Sequence, residues 1–163
     1  MPNEKYTYYD KDFKISPLSN LKLNGIYISM SNEKFEYNSA NYEKIYGKNG
    51  HPALKNKIPE KDTIIHFNRY FYLQFTDNGK WKQAGGFYTK EELLSDVKLL
   101  DKSLNYDVYK INSDTLYLES YNSYQKKFIY LKAILKKDSL FVSDLKNSKG
   151  TYVIYNFNEM NID

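Results

Sequence analysis

The clearest signal along the chain is an alternation of apolar and polar side chains with a period of two. Over residues 63–76, Ile65, Phe67, Phe71, Leu73 and Phe75 fall on one face, while His66, Asn68, Tyr70, Tyr72, Gln74 and Thr76 fall on the other. This is the pattern of a half-buried β-strand. Asp77-Asn78-Gly79-Lys80 follows at once, and Asn-Gly supplies the two positive φ angles of a tight hairpin turn, so a returning strand is predicted over 80–84. An earlier strand is predicted over 21–30, where β-branched and aromatic residues surround Gly25-Ile26-Tyr27-Ile28, with Gly25 at a bulge or bend.

The period then changes. Thr89-Lys90-Glu91-Glu92 has the form of a capping box, and Leu93, Leu94, Val97, Leu100 and Leu104 continue at helical spacing, which predicts one amphipathic helix over about 90–103. Beyond it, short strands are predicted at 106–111, 115–121, 125–135, 139–145 and 151–158. Asn112-Ser113-Asp114, Asn122-Ser123, Lys136-Lys137-Asp138 and Asn147-Ser148-Lys149-Gly150 mark the turns between them. Asp114-Thr-Leu-Tyr-Leu and Asp138-Ser-Leu-Phe-Val echo one another, as though one hairpin were written twice.

Two stretches carry less periodicity. Residues 1–20 are polar, dotted with tyrosine, and end at Ser16-Pro17-Leu18-Ser19-Asn20, which reads as an arm of loose or edge structure leading into a domain over 21–160. Residues 31–62 read as a long insertion, with turn markers at Asn49-Gly50, Pro52 and Pro59 and a helical turn near 41–46. A structureless stretch of that length in a compact domain is either a lid or an element unseen in the sequence.

Eight consecutive antiparallel strands with short connections and a single helix have two exposed edges to manage, and closure removes both. The predicted fold is therefore mainly β: an eight-stranded antiparallel up-and-down barrel with one short amphipathic helix. A chain of 163 residues buries about 70% of its unfolded surface, enough for one core.

Composition narrows the chemistry. The chain has no cysteine, which excludes disulfides, thiolate metal sites and a thiol nucleophile. Its 24 basic and 20 acidic residues are spread without a basic pole, and Arg69 is the lone arginine. Nucleic-acid recognition favours the arginine fork and a concentrated basic groove, so no nucleic-acid partner is expected. No run approaches the length of a transmembrane helix, and the start, Met1-Pro2-Asn3-Glu4-Lys5, has no apolar signal core; the chain is either cytoplasmic or has lost a signal.

The order of elements resembles the lipocalin-like, calycin-type small lipoproteins of Bacteroidetes. The residues that carry the likeness are Leu23-Asn24-Gly25-Ile26-Tyr27, the aromatic strand running into Asp77-Asn78-Gly79-Lys80-Trp81, the helix, and Tyr109-Lys110-Ile111-Asn112-Ser113-Asp114 before a closing meander. Gly25-Ile26-Tyr27 stands where true lipocalins carry Gly-x-Trp. The resemblance implies an eight-stranded barrel with a cup for a small apolar molecule, and an extracytoplasmic setting as a secreted protein or surface lipoprotein.

Among candidate site residues, Arg69 stands out, because strict alternation places it on the apolar face between Phe67 and Phe71. An unpaired buried charge costs several kcal/mol, so the guanidinium needs a carboxylate, a carbonyl cluster or an anionic ligand. Either it anchors the acid group of a bound molecule, or a β-bulge within 66–70 turns it outward, or it sits at a barrel mouth within reach of water. The pocket walls expected around such a ligand are Phe67, Phe71, Leu73, Leu118, Leu131 and Val153.

His51 and His66 lack neighbours arranged as a metal site, and His66 is expected on the outer side of its strand. Ser29, Ser120 and Ser143 lie in strands without a nucleophile elbow, and no pair of carboxylates is singled out for hydrolysis. Gly85-Gly86 reads as a bend. Trp81 reads as a packing anchor. The expected function is non-enzymatic binding of a small apolar or amphipathic ligand, without a cofactor or metal. The alternative is a packed barrel that docks a protein or glycan through its tyrosine-rich outer strips (Tyr70 and Tyr72; Tyr117 and Tyr121 beside Glu119) or through the 31–62 loop.

Overall fold

The computed structural model describes residues 5–16, 19–47, 50–54, 58–100, 107–145 and 151–160. Eight strands run β1 (Gly25–Tyr37), β2 (Thr63–Phe75), β3 (Lys80–Phe87), β4 (Asp107–Asn112), β5 (Thr115–Asn122), β6 (Lys127–Lys136), β7 (Ser139–Asp144) and β8 (Val153–Glu159). Each pairs antiparallel with the next, and β8 returns to β1 through Gly25↔Glu159 to Ile28↔Asn156. The sheet is a closed up-and-down barrel, as the alternation and turn spacing predict.

The even period of the strands sorts side chains into a lumen and an outside. Tyr27, Leu73, Phe75, Trp81, Tyr109, Leu116, Leu118, Ala133, Leu135, Leu140 and Tyr155 fill the lumen as one buried cluster. Five of these are aromatic, and rings among them meet edge to face, Tyr27 with Phe75 and Phe75 with Tyr109 at 5.8 and 5.2 Å between centroids. Close packing of this kind leaves the lower barrel solid. Trp81 anchors it as predicted, fully buried and donating its indole N–H to the Glu119 carbonyl at 3.2 Å.

Ile26, Ile28, Tyr70 and Tyr72 point outward from β1 and β2 and are covered by the helix α2 (Lys90–Leu100) through Leu93 and Val97. Thr89 caps that helix by accepting the Glu92 N–H, and Glu92 reaches back to the N–H of Tyr88, one residue beyond the reciprocal partner of a standard capping box. Leu104, placed on the same helix by its spacing, lies outside the described residues, as do Asn49 and the 147–150 turn.

Two turns match the echo in the sequence. Ser113 and Lys137 both take positive φ, and the carbonyls of Asp114 and Asp138 accept the N–H groups of Leu135 and Phe157 from the strand two further on. The Asp77–Gly79 turn differs from the two-residue form: Thr76 N–H bonds to the Lys80 carbonyl across three loop residues, and of these only Gly79 has positive φ, at 75°. A three-residue hairpin loop needs one left-handed residue rather than two, and glycine at its last position supplies it.

Three elements depart from the sequence reading. β1 runs on to Tyr37 and pairs with β2 as far as Tyr37↔Thr63, so the insertion is confined to 38–62 and holds a short helix, α1 (Tyr42–Tyr46), and a 3-10 turn, Pro52–Leu54. Tyr37, Tyr42 and Leu54 give it a small core of its own. Gly25 is paired in register rather than bulged; a Cβ there would stand 2.3 Å from the Asn158 carbonyl oxygen, so glycine allows β8 to approach.

The arm is also ordered over 5–16. It crosses the outside of β5 and β6, then turns under the barrel, where Phe13 packs on Tyr109 at 5.2 Å and Ile15, Leu21 and Leu23 join the core.

Candidate functional site

The arm closes one end of the lumen, and among the described residues a concavity lies toward the other. The seam between β3 and β4 consists of Lys80↔Val108 and Trp81↔Asp107, so beyond Trp81 β3 has no β4 partner among the described residues. A concavity of about 320 Å³ lies at this end. Leu73, Leu131, Val142, Val153 and Tyr155 supply its apolar surface, and Gln83, Ser143, Asp144 and Thr151 supply its polar rim. Leu73 and Tyr155 are buried and form the floor, whereas Val153 is 53% exposed at the lip. Burial pushes the Tyr155 phenol up, with its hydroxyl held against Ser29.

Three of the residues expected to wall a pocket, Leu73, Leu131 and Val153, therefore meet at this cup. Leu118 pairs with Leu131 in register but is wholly buried in the packed lumen. Phe71 packs at the edge of that core, with its ring against Gly85.

Phe67 and Arg69 lie higher on β2, on the inner face of the extended β1–β2 hairpin. The alternation on β2 is unbroken there. The bulge is on β3 instead: Tyr70 pairs with Phe87 and Phe71 with Gly85, which leaves Gly86 unpaired at φ 91°. Of the three sequence readings of Arg69, its position is that of the mouth. Its side chain is 29% exposed, Nη1 stands 3.8 Å from the Glu33 carboxylate, and the guanidinium lies over the Tyr88 ring at 5.0 Å. Its Nε–H is buried without an acceptor among the described residues.

Gly85-Gly86 is thus more than a bend. A Cβ at 85 would strike the Phe71 ring and one at 86 would stand 2.4 Å from Arg69 Nη2, so the pair seats both side chains.

His51 comes down from the insertion onto the same face. It stacks on Phe35 at 4.0 Å and meets Tyr46, Phe67 and Tyr88 edge-on at 5.0, 5.3 and 5.9 Å. Its Nδ1 accepts the Ala53 N–H at 3.1 Å, which fixes the neutral ring with its proton on Nε2. Burial, and then the Arg69 charge, hold its pKa below the usual 6.5. His66 is exposed on the outer face.

The outer tyrosine strips are already occupied. Tyr72 is buried beneath α2. Over β5 and β6, Tyr8 of the arm packs on Tyr117 and Tyr130, and Tyr6 packs on Phe128. Glu119, wholly buried there, takes the N–H groups of Thr7 and Tyr8 on its two oxygens at 2.9 and 2.7 Å. No sequence signal marks this contact, because the donors are main-chain groups.

Among the described residues no three His, Asp or Glu side chains are grouped to hold a metal ion, and no helix is long and apolar enough to cross a membrane. Comparison with protein-family models, with curated proteins and with solved structures finds no match to this chain.

Proposed function

We propose that this chain is a non-enzymatic binding protein that takes a small apolar or amphipathic molecule at the open end of its barrel. The observation that supports this reading is the cup itself: hydrocarbon from Leu73, Leu131, Val142 and Val153 beneath a rim of amide, hydroxyl and carboxylate groups. That combination of apolar walls and a few polar orienting groups suits a ligand site, and about 320 Å³ lies at the small end of the range for such sites. The ligand buries its apolar part against Leu131 and Val153 and keeps its polar group at the rim. The lower lumen, packed with aromatic rings, is not the binding volume.

Arg69 extends the reading to acidic ligands. Four residues up β2 from Leu73, or roughly 13 Å along the strand, it carries a buried Nε–H that an acid group would satisfy. In keeping with the family resemblance, the proposed setting is extracytoplasmic.

Native mass spectrometry of freshly purified protein, followed by titration with fatty acids, retinoids and sterols, tests the proposal. A retained small molecule, or saturable binding abolished by Val153→Trp, supports it. Absence of binding across the panel overturns it. Arg69→Ala should weaken an acidic ligand and spare its neutral counterpart with the same tail; full affinity for the acid removes Arg69 from the site.

A further inference from the structure

We infer that His51 is a pH-sensitive latch, which holds residues 38–47 and 50–54 of the insertion down on the inner face of the β1–β2 hairpin at neutral pH and releases them in mild acid. The inference is independent of any ligand in the cup.

The latch is built from both sides. Within the insertion, His51 is tied at two points: its N–H donates to the Tyr42 hydroxyl, and its Nδ1 accepts the Ala53 N–H. Across the fold, its ring lies between Phe35 of β1 and Phe67 of β2, with Tyr88 beyond the end of β3. The insertion's other ring contacts to the hairpin run through Tyr42 to Tyr37 and Tyr46 to Phe35. Among the described residues of the seam, His51 is therefore the group whose charge can change in mild acid.

Protonation removes the Ala53 tie and places a charge beside Arg69. Nδ1 gains a proton and can no longer accept from Ala53, and the new charge is enclosed by rings on the side of Arg69. Among the described residues, no carboxylate faces it free of another partner. From β2 the facing group is the Arg69 guanidinium. From β1 the carboxylate is Glu33, which pairs with Arg69. From α1 come the phenols Tyr42 and Tyr46, from the segment after β3 comes Tyr88, and the 3-10 turn presents Pro52, Ala53 and Leu54, none of them ionisable.

The direction of the effect follows from linkage. The closed state holds His51 below its ordinary 6.5, through burial and then Arg69. The opened state, with His51 in water, binds the proton more readily. Closure is at full strength above about pH 6.5 and weakens as pH falls below it, by at most tenfold per unit, until the closed-state value is passed. The insertion's second tie, Asp62 to the N–H and hydroxyl of Ser39, does not interfere: those hydrogen bonds hold the Asp62 pKa below 3.8, so it remains ionised in mild acid.

Native-state hydrogen exchange of the full chain at about pH 7.5 and about pH 5, corrected for intrinsic rates, reads the latch directly. Protection of the Ala53 and His51 amides should fall severalfold or more in acid, while barrel amides such as those of Leu135 and Phe157 keep theirs. His51→Asn, whose side-chain oxygen can accept the same Ala53 N–H without titrating, should abolish the pH dependence. Acid loosening unchanged in His51→Asn, or constant protection in the parent chain, overturns the inference. An NMR titration of the His51 ring in the parent chain gives a check free of any variant: a midpoint at or above 6.5 overturns it as well.

Discussion

The ring of Phe71 fills the space that a side chain on Gly85 would need: a Cβ there would stand 2.0 Å from Phe71 Cδ1. The two residues face each other across the β2–β3 ladder, on the inner side between the packed lumen and the hairpin extension. The Phe71 ring, held by its neighbours in the core, cannot move as the end of a flexible chain would. Gly85→Ala should therefore cost about 1–3 kcal/mol through overpacking, seen as a lower denaturant midpoint with an unchanged m-value. Phe71→Ala in the Gly85→Ala background should recover part of that loss, and strict additivity of the two changes would show that the contact is not the cause.

Gly86 next to it has a different constraint. Its would-be neighbour is the tip of the Arg69 side chain, which can swing away, but its φ of 91° remains unsuited to an L residue. Gly86→Ala should destabilise by about 1–2 kcal/mol and should do so equally in an Arg69→Ala background. A loss that disappears when Arg69 is truncated would point to contact rather than backbone strain.

Much of the barrel was legible because each strand is short, half-buried and closed by polar turn residues, so the apolar period survives in the sequence. β1 beyond Met30 was not, and the reason lies in its inward positions. Glu33 interrupts the apolar alternation that Phe35 and Tyr37 would otherwise carry, and it makes sense only beside Arg69, which pairing of β1 with β2 brings near. The sequence reading of Arg69 asks for a carboxylate, a carbonyl cluster or an anionic ligand; Glu33 stands 3.8 Å from its Nη1. Leu73, Leu131 and Val153 were legible as wall residues from strand position. Closure decides that Leu118, on a strand of the same pattern, falls in the packed layer instead. Gly86 as a bulge and Thr7 and Tyr8 as partners of Glu119 depend on main-chain geometry, which side-chain patterning does not report.

Buried phenols make the barrel sensitive to alkali. Burial raises the pKa of Tyr27 to about 12, and burial followed by the charge of Asp77 pushes Tyr109 higher still. A phenol whose folded pKa is raised stabilises the fold fully below its unfolded value near 10, and that stability is lost as pH climbs through the folded value. For Tyr27 alone this amounts to roughly 2–3 kcal/mol. In an alkaline titration followed by tyrosinate absorbance, Tyr27 and Tyr109 should ionise only together with loss of barrel circular dichroism. Full tyrosine ionisation near pH 10 with the barrel intact would contradict this.

Glu119 is the hinge of the arm's attachment. Its two carboxylate oxygens are satisfied by two successive main-chain N–H groups, an arrangement that an amide cannot reproduce, since one of its ends must present N–H to N–H. Glu119→Gln should therefore cost about 1–3 kcal/mol and should act first on the arm. Because Tyr6 and Tyr8 are also held by ring contacts to Phe128, Tyr117 and Tyr130, the arm is expected to loosen rather than detach. Limited proteolysis separates the two levels: cleavage within residues 5–12 should quicken in Glu119→Gln while barrel segments stay resistant. Glu119→Ala should behave differently, because it leaves the Thr7 and Tyr8 N–H groups without acceptors and opens space beneath the two tyrosines. A Glu119→Gln variant whose arm is cleaved no faster than that of the parent chain would mean that the remaining contacts, the rings together with the Tyr6 hydroxyl donating to Asp107 at 2.8 Å, position the segment without Glu119.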